Sequence, residues 1–338
     1  MRPFVYQRAS DAPSAIQNLA TATAANNVLT EASVQPLAGG TTLIDLMKLD
    51  VMRPKAVVDI NPLAASWSNV SLDDGNLRLG ALARMSDVAA NPEIQQHYPV
   101  IADTLKLAAS PQLRNMASLG GNVLQRTRCS YFRDVSYHNC NKRNPGSGCA
   151  ALEGFNRSHA VLGTSEQCIA TYPGDFAQAL MALDATVEIT GRSGVRKIRF
   201  SDLHKRPGES PQAETTLSPG ELISAFLIPG PWPRSVYMKV RDRQSYEFAL
   251  ASAAVALDLQ DEVMRDARIA LGGVAAVPWR AREAEAILKG QKFDDALIDR
   301  AADAAFADAR PYRHNVFKVA LGKRVISRAL HQAATMEI

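Results

Sequence analysis

The sequence has few features of a membrane-spanning or exported protein. No apolar run reaches the length of about 18 residues that a membrane-spanning helix needs. The first residues, Met1 to Tyr6, lack the apolar core of a signal peptide. We therefore expect no membrane span and no export signal of its own. The net charge of +4 over 338 residues is small, and no basic face with interleaved aromatic residues occurs, so we expect no nucleic acid partner.

Several motifs of enzymes and nucleotide-binding proteins are also absent. Neither GxGxxG nor GxxxxGK(S/T) occurs, which disfavours a Rossmann or P-loop site. The six histidines form no HxH or HExxH pattern, and there is no GxSxG. These absences indicate no catalytic metal site and no serine nucleophile, and we predict no catalytic side chain in this chain.

Cysteine is absent outside one 40-residue segment, which contains Cys129, Cys140, Cys149 and Cys168. Disulfide scaffolds serve small exported domains that lack a core, so these thiols are predicted to be metal ligands. The residues alone leave three interpretations open: a [4Fe–4S] cluster, which needs four thiolates, a structural zinc ion, and free thiols. No CxxC pair occurs, although zinc sites usually contain one.

Basic side chains are frequent around the thiols. They would favour the thiolate form and offset the charge of a cluster. These basic residues are Arg126, Arg128, Lys142 and Arg143. His159 lies in the same segment, and a single histidine after a loop is expected to be structural rather than a proton donor.

Two glycine turns indicate that the backbone approaches a phosphate group. The first, residues 38–42, follows a predicted strand over 28–37 and precedes a helix predicted to begin at Leu43. The second covers residues 118–122. Glycine lets backbone amides reach the oxygen atoms of a diphosphate, and hydroxyl groups and a helix end add to the attraction. Each turn alone is also typical of a simple tight turn.

The remaining pattern predicts an α+β fold. Three prolines between residues 229 and 233 mark a boundary, since they cannot continue a helix or a sheet. We predict a two-part domain over 1–230, divided into 1–62 and 63–230. A smaller β-then-α domain is predicted over 231–338.

Periodicity predicts the individual elements. A helix over 175–185 is followed by a strand over 186–190, and residues 203–216 are expected to form an exposed loop. In the smaller domain, we predict a helix over 249–257. Three further helices are predicted near 281–288, 294–308 and 316–332.

Longer segments resemble the FAD-binding subunits of the xanthine dehydrogenase and molybdenum hydroxylase family. Residues 36–43, Pro-Leu-Ala-Gly-Gly-Thr-Thr-Leu, resemble the first flavin-binding segment of that family. Residues 112–122, Gln-Leu-Arg-Asn-Met-Ala-Ser-Leu-Gly-Gly-Asn, resemble the second, and this longer motif is quite specific. Later segments are similar as well, so the resemblance covers nearly the whole chain and implies the two-part FAD-binding domain of this family.

The resemblance implies which residues bind FAD. Asp175 would bind the ribityl or nearby sugar hydroxyl groups, and Leu222 and Lys239 would lie beside the flavin. The residues alone also allow Asp175 to cap the helix that follows it and Lys239 to be a solvated strand residue. The FAD diphosphate would lie against Ala38, Gly39, Gly40, Thr41, Thr42 and Leu43, and against Ser118, Leu119, Gly120, Gly121 and Asn122.

The cysteines lie where most of the family has only a short segment. The insertion at 123–168 resembles the flavin subunit of bacterial periplasmic aldehyde oxidoreductases, in which four cysteines hold a [4Fe–4S] cluster. A related insertion occurs in 4-hydroxybenzoyl-CoA reductase. The resemblance thus implies that Cys129, Cys140, Cys149 and Cys168 are the cluster ligands.

The resemblance also implies partners and a function. In such aldehyde oxidoreductases, a large subunit oxidises the aldehyde at a molybdenum cofactor, and a small subunit passes the electrons through two [2Fe–2S] clusters to FAD. We therefore expect a heterotrimer that reduces an external acceptor. The alternatives are the flavin subunit of another molybdenum hydroxylase, acting on an N-heterocycle or a CoA thioester, and a zinc-stabilised assembly protein. Such flavin subunits reach the periplasm with a partner's twin-arginine signal, so we expect either the periplasm or the cytoplasm.

Overall fold

A computed structural model describes residues 1–22, 28–73 and 75–338 of the chain. In these ranges, helices pack on and between three β-sheets, which confirms the α+β class. No helix in the described ranges is long and apolar enough to cross a membrane.

The first sheet is small and parallel. Its elements are β1 (Val5–Arg8), α1 (Ala12–Ala20), β2 (Val34–Leu37), α2 (Leu43–Lys48) and β3 (Ala56–Asp59). The strand order is β1-β3-β2, and the two helices lie in the crossovers that parallel strands require. The strand predicted over 28–37 is observed only over Val34–Leu37, because Leu29–Glu31 forms a 3₁₀ turn before it.

The second sheet is antiparallel and has five strands. They are β4 (Val70–Asp73), β5 (Asn76–Gly80), β6 (Thr186–Gly191), β7 (Gly194–Arg199) and β8 (Leu222–Ile228), in the order β4-β5-β8-β6-β7. The helices of this part of the chain are α3 (Ala64–Trp67), α4 (Met85–Ala90), α5 (Pro92–His97), α6 (Pro99–Lys106), α7 (Pro111–Met116), α8 (Leu119–Val123), α9 (Ser130–Arg133) and α10 (Phe176–Ala182).

The third sheet is antiparallel and is followed by three helices. Its strands are β9 (Ser235–Val240), β10 (Ala251–Gln260), β11 (Val263–Gly272) and β12 (Trp279–Arg280), in the order β12-β11-β10-β9. The helices are α11 (Arg282–Leu288), α12 (Asp295–Ala305) and α13 (Phe317–Ala334), which confirms the three predicted C-terminal helices.

The helix predicted over 249–257 is wrong, because this segment belongs to β10. The first seven residues of β10 are buried. Ala254 and Ala256 pack into the core beneath α6 and α10, whereas Ala253 and Val255 pack into the core beneath α13. A strand that is buried on both faces shows no alternation of polar and apolar residues, so its pattern cannot be told from that of a buried helix.

Two hydrogen bonds connect the start of the cysteine-containing segment, residues 123–168, to the residues that follow it. The Tyr172 hydroxyl donates to the Val123 carbonyl at 2.8 Å. Beside this bond, the Thr127 hydroxyl donates to the Thr171 carbonyl at 2.9 Å. The two ends of the segment are therefore held side by side.

Candidate functional site

The first glycine turn connects β2 to α2. Gly40 has a φ of +72°, a conformation that glycine adopts without strain. The backbone amides of residues 39–42 donate to no acceptor in the parts of the chain that the structure describes. The turn is half-exposed along its length, so these amides can meet the oxygen atoms of a ligand.

The structure brings the two glycine turns together. A Cβ on Gly39 would lie 2.0 Å from the carbonyl oxygen of Met116, so only glycine permits this contact. Asn61 donates from Nδ2 to the Ala38 carbonyl at 3.0 Å. Arg84 donates both to Asn61 Oδ1, at 3.1 Å, and to the Met116 carbonyl. Asn61 and Arg84 therefore clamp the turns against each other, and neither was singled out from the sequence.

The second glycine turn uses most of its amides within the protein. Ser118 caps α8, since its Oγ accepts from the Gly121 amide at 3.2 Å. The Leu119 and Gly120 amides donate to the Ala83 and Ala81 carbonyls. Asn122 keeps a buried Oδ1 without a partner among the described residues. Because Ser118 is buried and its hydroxyl group is already bonded, this turn presents the Asn122 side chain more than a row of free amides.

Asp175 and Lys239 form a buried ion pair. Lys239 Nζ donates to Asp175 Oδ2 at 2.7 Å, and the Tyr237 hydroxyl donates to Oδ1 at 2.5 Å. Burial raises the pKa of Asp175, although the positive charge of Lys239 acts to lower it. Asp175 occupies the N-cap position of α10, but its side chain makes no capping bond. Lys239 is therefore not a solvated strand residue, and both Asp175 oxygens already have protein donors.

Leu222 lies near the first turn rather than near that ion pair. It is buried at the start of β8 and belongs to an apolar cluster with Val58 and Leu82, against which Ala38 packs. Lys239 also donates to the Leu107 carbonyl, which precedes the helix that leads to the second turn. The roles of Asp175, Leu222 and Lys239 toward a flavin stay predictions.

All four cysteines line one cavity. We call Cys129, Cys140, Cys149 and Cys168 the cysteine cage. None of them forms a disulfide. Cys140 and Cys149 face each other across an antiparallel bridge, and the Asn141 amide donates to the Gly148 carbonyl beside it. The intervening Gly146 and Gly148 both have positive φ, which lets this hairpin close.

The sulfur atoms of the cysteine cage have N–H groups around them. His159 Nε2 lies 3.2 Å from Cys129 Sγ. The Ala170 amide lies 3.5 Å from Cys168 Sγ. Burial lowers the pKa of His159 to about 4, so its imidazole is neutral at pH 7. Burial also raises the pKa of the Cys129 thiol to about 12, whereas the hydrogen bond with Cys168 lowers the pKa of Cys149 to about 7.

Three of the four basic side chains predicted near the cage pair with carboxylates, and the charge of Lys142 also acts to lower the pKa of the Cys168 thiol, which other contacts raise. Arg128 and Arg133 both donate to the carboxylate of Asp45 in α2. Arg126 and Lys142 both donate to Glu214, which was expected in an exposed loop but whose side chain is only 17% exposed. Glu214 and Asp45 were missed in the sequence because no local pattern connects them to the cysteines.

Several buried N–H groups in this region lack an acceptor. Among the described residues, Arg126 Nη1 and Nη2, Arg128 Nε and Arg143 Nε have no hydrogen-bond partner. No group of three or more His, Cys, Asp or Glu side chains in the described ranges could hold a single metal ion. The four thiols around one cavity equal in number the thiolates that a [4Fe–4S] cluster needs.

Comparison with known families decides what the chain belongs to. The family model described as the FAD binding domain in molybdopterin dehydrogenase matches residues 4–231. The model described as the CO dehydrogenase flavoprotein C-terminal domain matches residues 235–333. The chain belongs to the FAD-binding subunits of the molybdenum hydroxylase family.

Curated relatives of this FAD-binding subunit are subunits of oxidoreductases. The aldehyde oxidoreductase FAD-binding subunit of Escherichia coli (strain K12) is 47% identical over 299 residues, which cover 88% of this chain and 90% of the relative. The glyceraldehyde dehydrogenase medium chain of Sulfolobus acidocaldarius is 28% identical over 298 residues, or 85% of this chain and 88% of the relative.

Solved structures agree on the fold of the FAD-binding subunit. Carbon monoxide dehydrogenase from Hydrogenophaga pseudoflava matches with a TM-score of 0.75 at 24% identity, over 99% of both chains. The paired glycine turns, with the free amides of the first and the unpartnered Asn122 of the second, fit the FAD that this family binds.

Proposed function

We propose that this FAD-binding subunit carries FAD and a [4Fe–4S] cluster in a molybdenum-dependent aldehyde oxidoreductase. The observation that carries this proposal is the lining of one cavity by all four cysteines, in a chain whose relative at 47% identity is named as an aldehyde oxidoreductase subunit. Cys129, Cys140, Cys149 and Cys168 would hold the cluster. Residues 1–230 would bind FAD, with 123–168 as the iron–sulfur insertion, and 231–338 would form the C-terminal domain.

The residues of this chain bind and orient the cofactors. When bound, FAD would supply the electron-accepting chemistry between the partner subunits and an external acceptor. The amides of residues 39–42 would donate to its diphosphate, the Asn122 side chain would line the second side, and Ser118 would hold the second turn in shape. The Asp175–Lys239 pair holds α10 and β9 in a fixed relation. The buried Leu222 and the half-buried Ala38 pack in one apolar cluster beside the first turn.

The partners follow from the family. We propose a heterotrimer with a large subunit that holds the molybdenum cofactor and a small [2Fe–2S] subunit. Its place is the periplasm if a partner carries a twin-arginine signal, and otherwise the cytoplasm.

Cofactor analysis of the anaerobically purified complex tests this proposal. The amount due to this chain is about one FAD, four irons and four acid-labile sulfides, above the [2Fe–2S] content of the small subunit. Cys140→Ser should remove these four irons and keep the flavin. Gly39→Val should lose the flavin because of its contact with Met116, and Gly121→Val because its Cβ would lie 2.9 Å from Ser118 Oγ.

Two results would contradict the proposal. A full flavin complement in both glycine variants would show that the turns do not hold FAD. One zinc ion per chain, without the additional labile sulfide, would favour the zinc-stabilised assembly protein.

A further inference from the structure

The only histidine nitrogen that contacts a sulfur atom in the described residues belongs to His159. Its Nε2 lies 3.2 Å from Cys129 Sγ. The His159 residue is only 2% exposed, so no solvent competes for this contact. The ring also lies against Tyr131, with the ring centroids 6.0 Å apart.

The C-terminal domain holds His159 in this position. Asn315 Nδ2 donates to the His159 carbonyl at 3.2 Å. Lys318, in α13, donates from Nζ to the neighbouring Ser158 carbonyl at 3.0 Å. These bonds connect residues that are more than 150 positions apart in the sequence, so contacts from the C-terminal domain help to fix the position of His159.

The chemistry of the ligand decides the direction of the hydrogen bond. A cysteine sulfur that binds iron has lost its proton and can only accept. His159 Nε2, which lies 3.2 Å from this sulfur, must therefore carry the hydrogen. Nδ1 has no partner in the described residues, so nothing there stabilises the opposite tautomer.

We propose that His159 is a positioning residue that donates a hydrogen bond to the cluster ligand Cys129 and raises the reduction potential of the cluster. This inference rests on the proposed [4Fe–4S] site. Reduction adds one electron to the cluster, and no bond forms or breaks at His159. Negative charge on the ligand sulfur increases on reduction, so the N–H group stabilises the reduced form more than the oxidised form.

A redox titration of the complex, followed by EPR with dithionite as the electron donor, tests the proposal. His159→Phe should lower the ratio of reduced to oxidised cluster at a given potential by about tenfold, which is about 59 mV toward more negative values for one electron. His159→Gln can still donate a hydrogen bond and should therefore shift the reduction potential less. His204→Phe is the control, because His204 is also enclosed by aromatic rings but faces the Val123 carbonyl at 3.2 Å.

The outcomes separate this inference from the proposed function. A cluster in His159→Phe with the wild-type potential, or an equal shift in His204→Phe, would overturn it. If His159→Phe fails to hold iron, pulsed EPR of the wild type with ¹⁵N-labelled histidine decides: coupling to one histidine nitrogen supports the bond, and its absence refutes it. Absence of the four additional irons and sulfides from the wild type would refute the proposed function itself, and the inference with it.

Discussion

At the scale of single residues, Glu214 connects two parts of the cysteine-containing segment. Its carboxylate accepts from Arg126 Nε at 2.8 Å and from Lys142 Nζ at 2.7 Å. Burial opposes the ionised form, but the two cations outweigh it and hold the pKa of Glu214 at about 2, below the ordinary 4.5. Unfolded chains bind this proton near pH 4.5. The stabilisation is therefore complete above that pH and is lost as the pH falls toward 2.

We expect Glu214→Gln to lower the free energy of unfolding by about 3 kcal/mol at pH 7, since two buried cations lose their counter-charge. The difference from the wild type should shrink between pH 4.5 and pH 2. Urea unfolding at a series of pH values measures it. Glu262→Gln serves as the control, because Glu262 pairs with Lys292 at the exposed surface. A difference for Glu214→Gln that is independent of pH would contradict this assignment.

The sequence contained part of this residue-level information. The family resemblance predicted the cysteines as one ligand set, and the structure places all four around one cavity. Glu214 could not be predicted, because it lies 88 residues from Arg126 in a segment rich in proline, glycine and serine. Such a composition indicates an exposed loop, and only the tertiary fold turns one of its side chains inward.

At the scale of elements, α2 connects the first glycine turn with the cysteine segment. Asp45, in the first turn of α2, accepts from Arg133 at 2.8 and 3.1 Å and from Arg128 at 3.0 Å. Leu46 and Met47 of the same helix pack in a cluster with Phe132 and Cys140. The helix that follows the proposed diphosphate site therefore rests on the segment that carries the cysteines.

Asp45→Asn should weaken this support and increase the rate of FAD release several-fold, although Asp45 lies outside the glycine turn. Two arginines would then face a neutral group, and α2 would lose its fixed position beneath the turn. Flavin fluorescence after dilution measures the rate. The matched control is Asp50→Asn. Asp50 lies just beyond the other end of α2 and pairs with two arginines as well, Arg2 and Arg53. Equal release rates in the two variants would contradict the coupling.

Elements differ in how well their pattern predicts them. Helix α12 has one buried face, and its prediction from periodicity is confirmed. Strand β10 has two buried faces formed by alanine and valine, and its prediction as a helix is wrong. The difference is physical, because periodicity reports a boundary between core and solvent, and β10 has no such boundary over most of its length.

At the scale of the whole molecule, the chain has the proposed sites for one flavin and one cluster and no predicted site that oxidises an aldehyde. We expect the isolated subunit to show no aldehyde oxidation with a dye acceptor, and the complex with both partners to show it. Activity assays of the chain alone and of the co-purified heterotrimer measure this. Robust turnover by the chain alone would disprove the requirement for partners.

The closure of the cysteine segment onto itself has a consequence for how such proteins change over evolutionary time. Its two ends meet at the Val123–Tyr172 and Thr127–Thr171 hydrogen bonds, so a short bypass could join them without moving either neighbouring element. An insertion whose two ends are adjacent destabilises a fold only slightly, because only the inserted residues lose conformational entropy. A lineage could therefore gain or lose this segment at its adjacent ends, but it would also have to replace the contacts that the segment makes with Asp45, Leu46 and Met47 of α2.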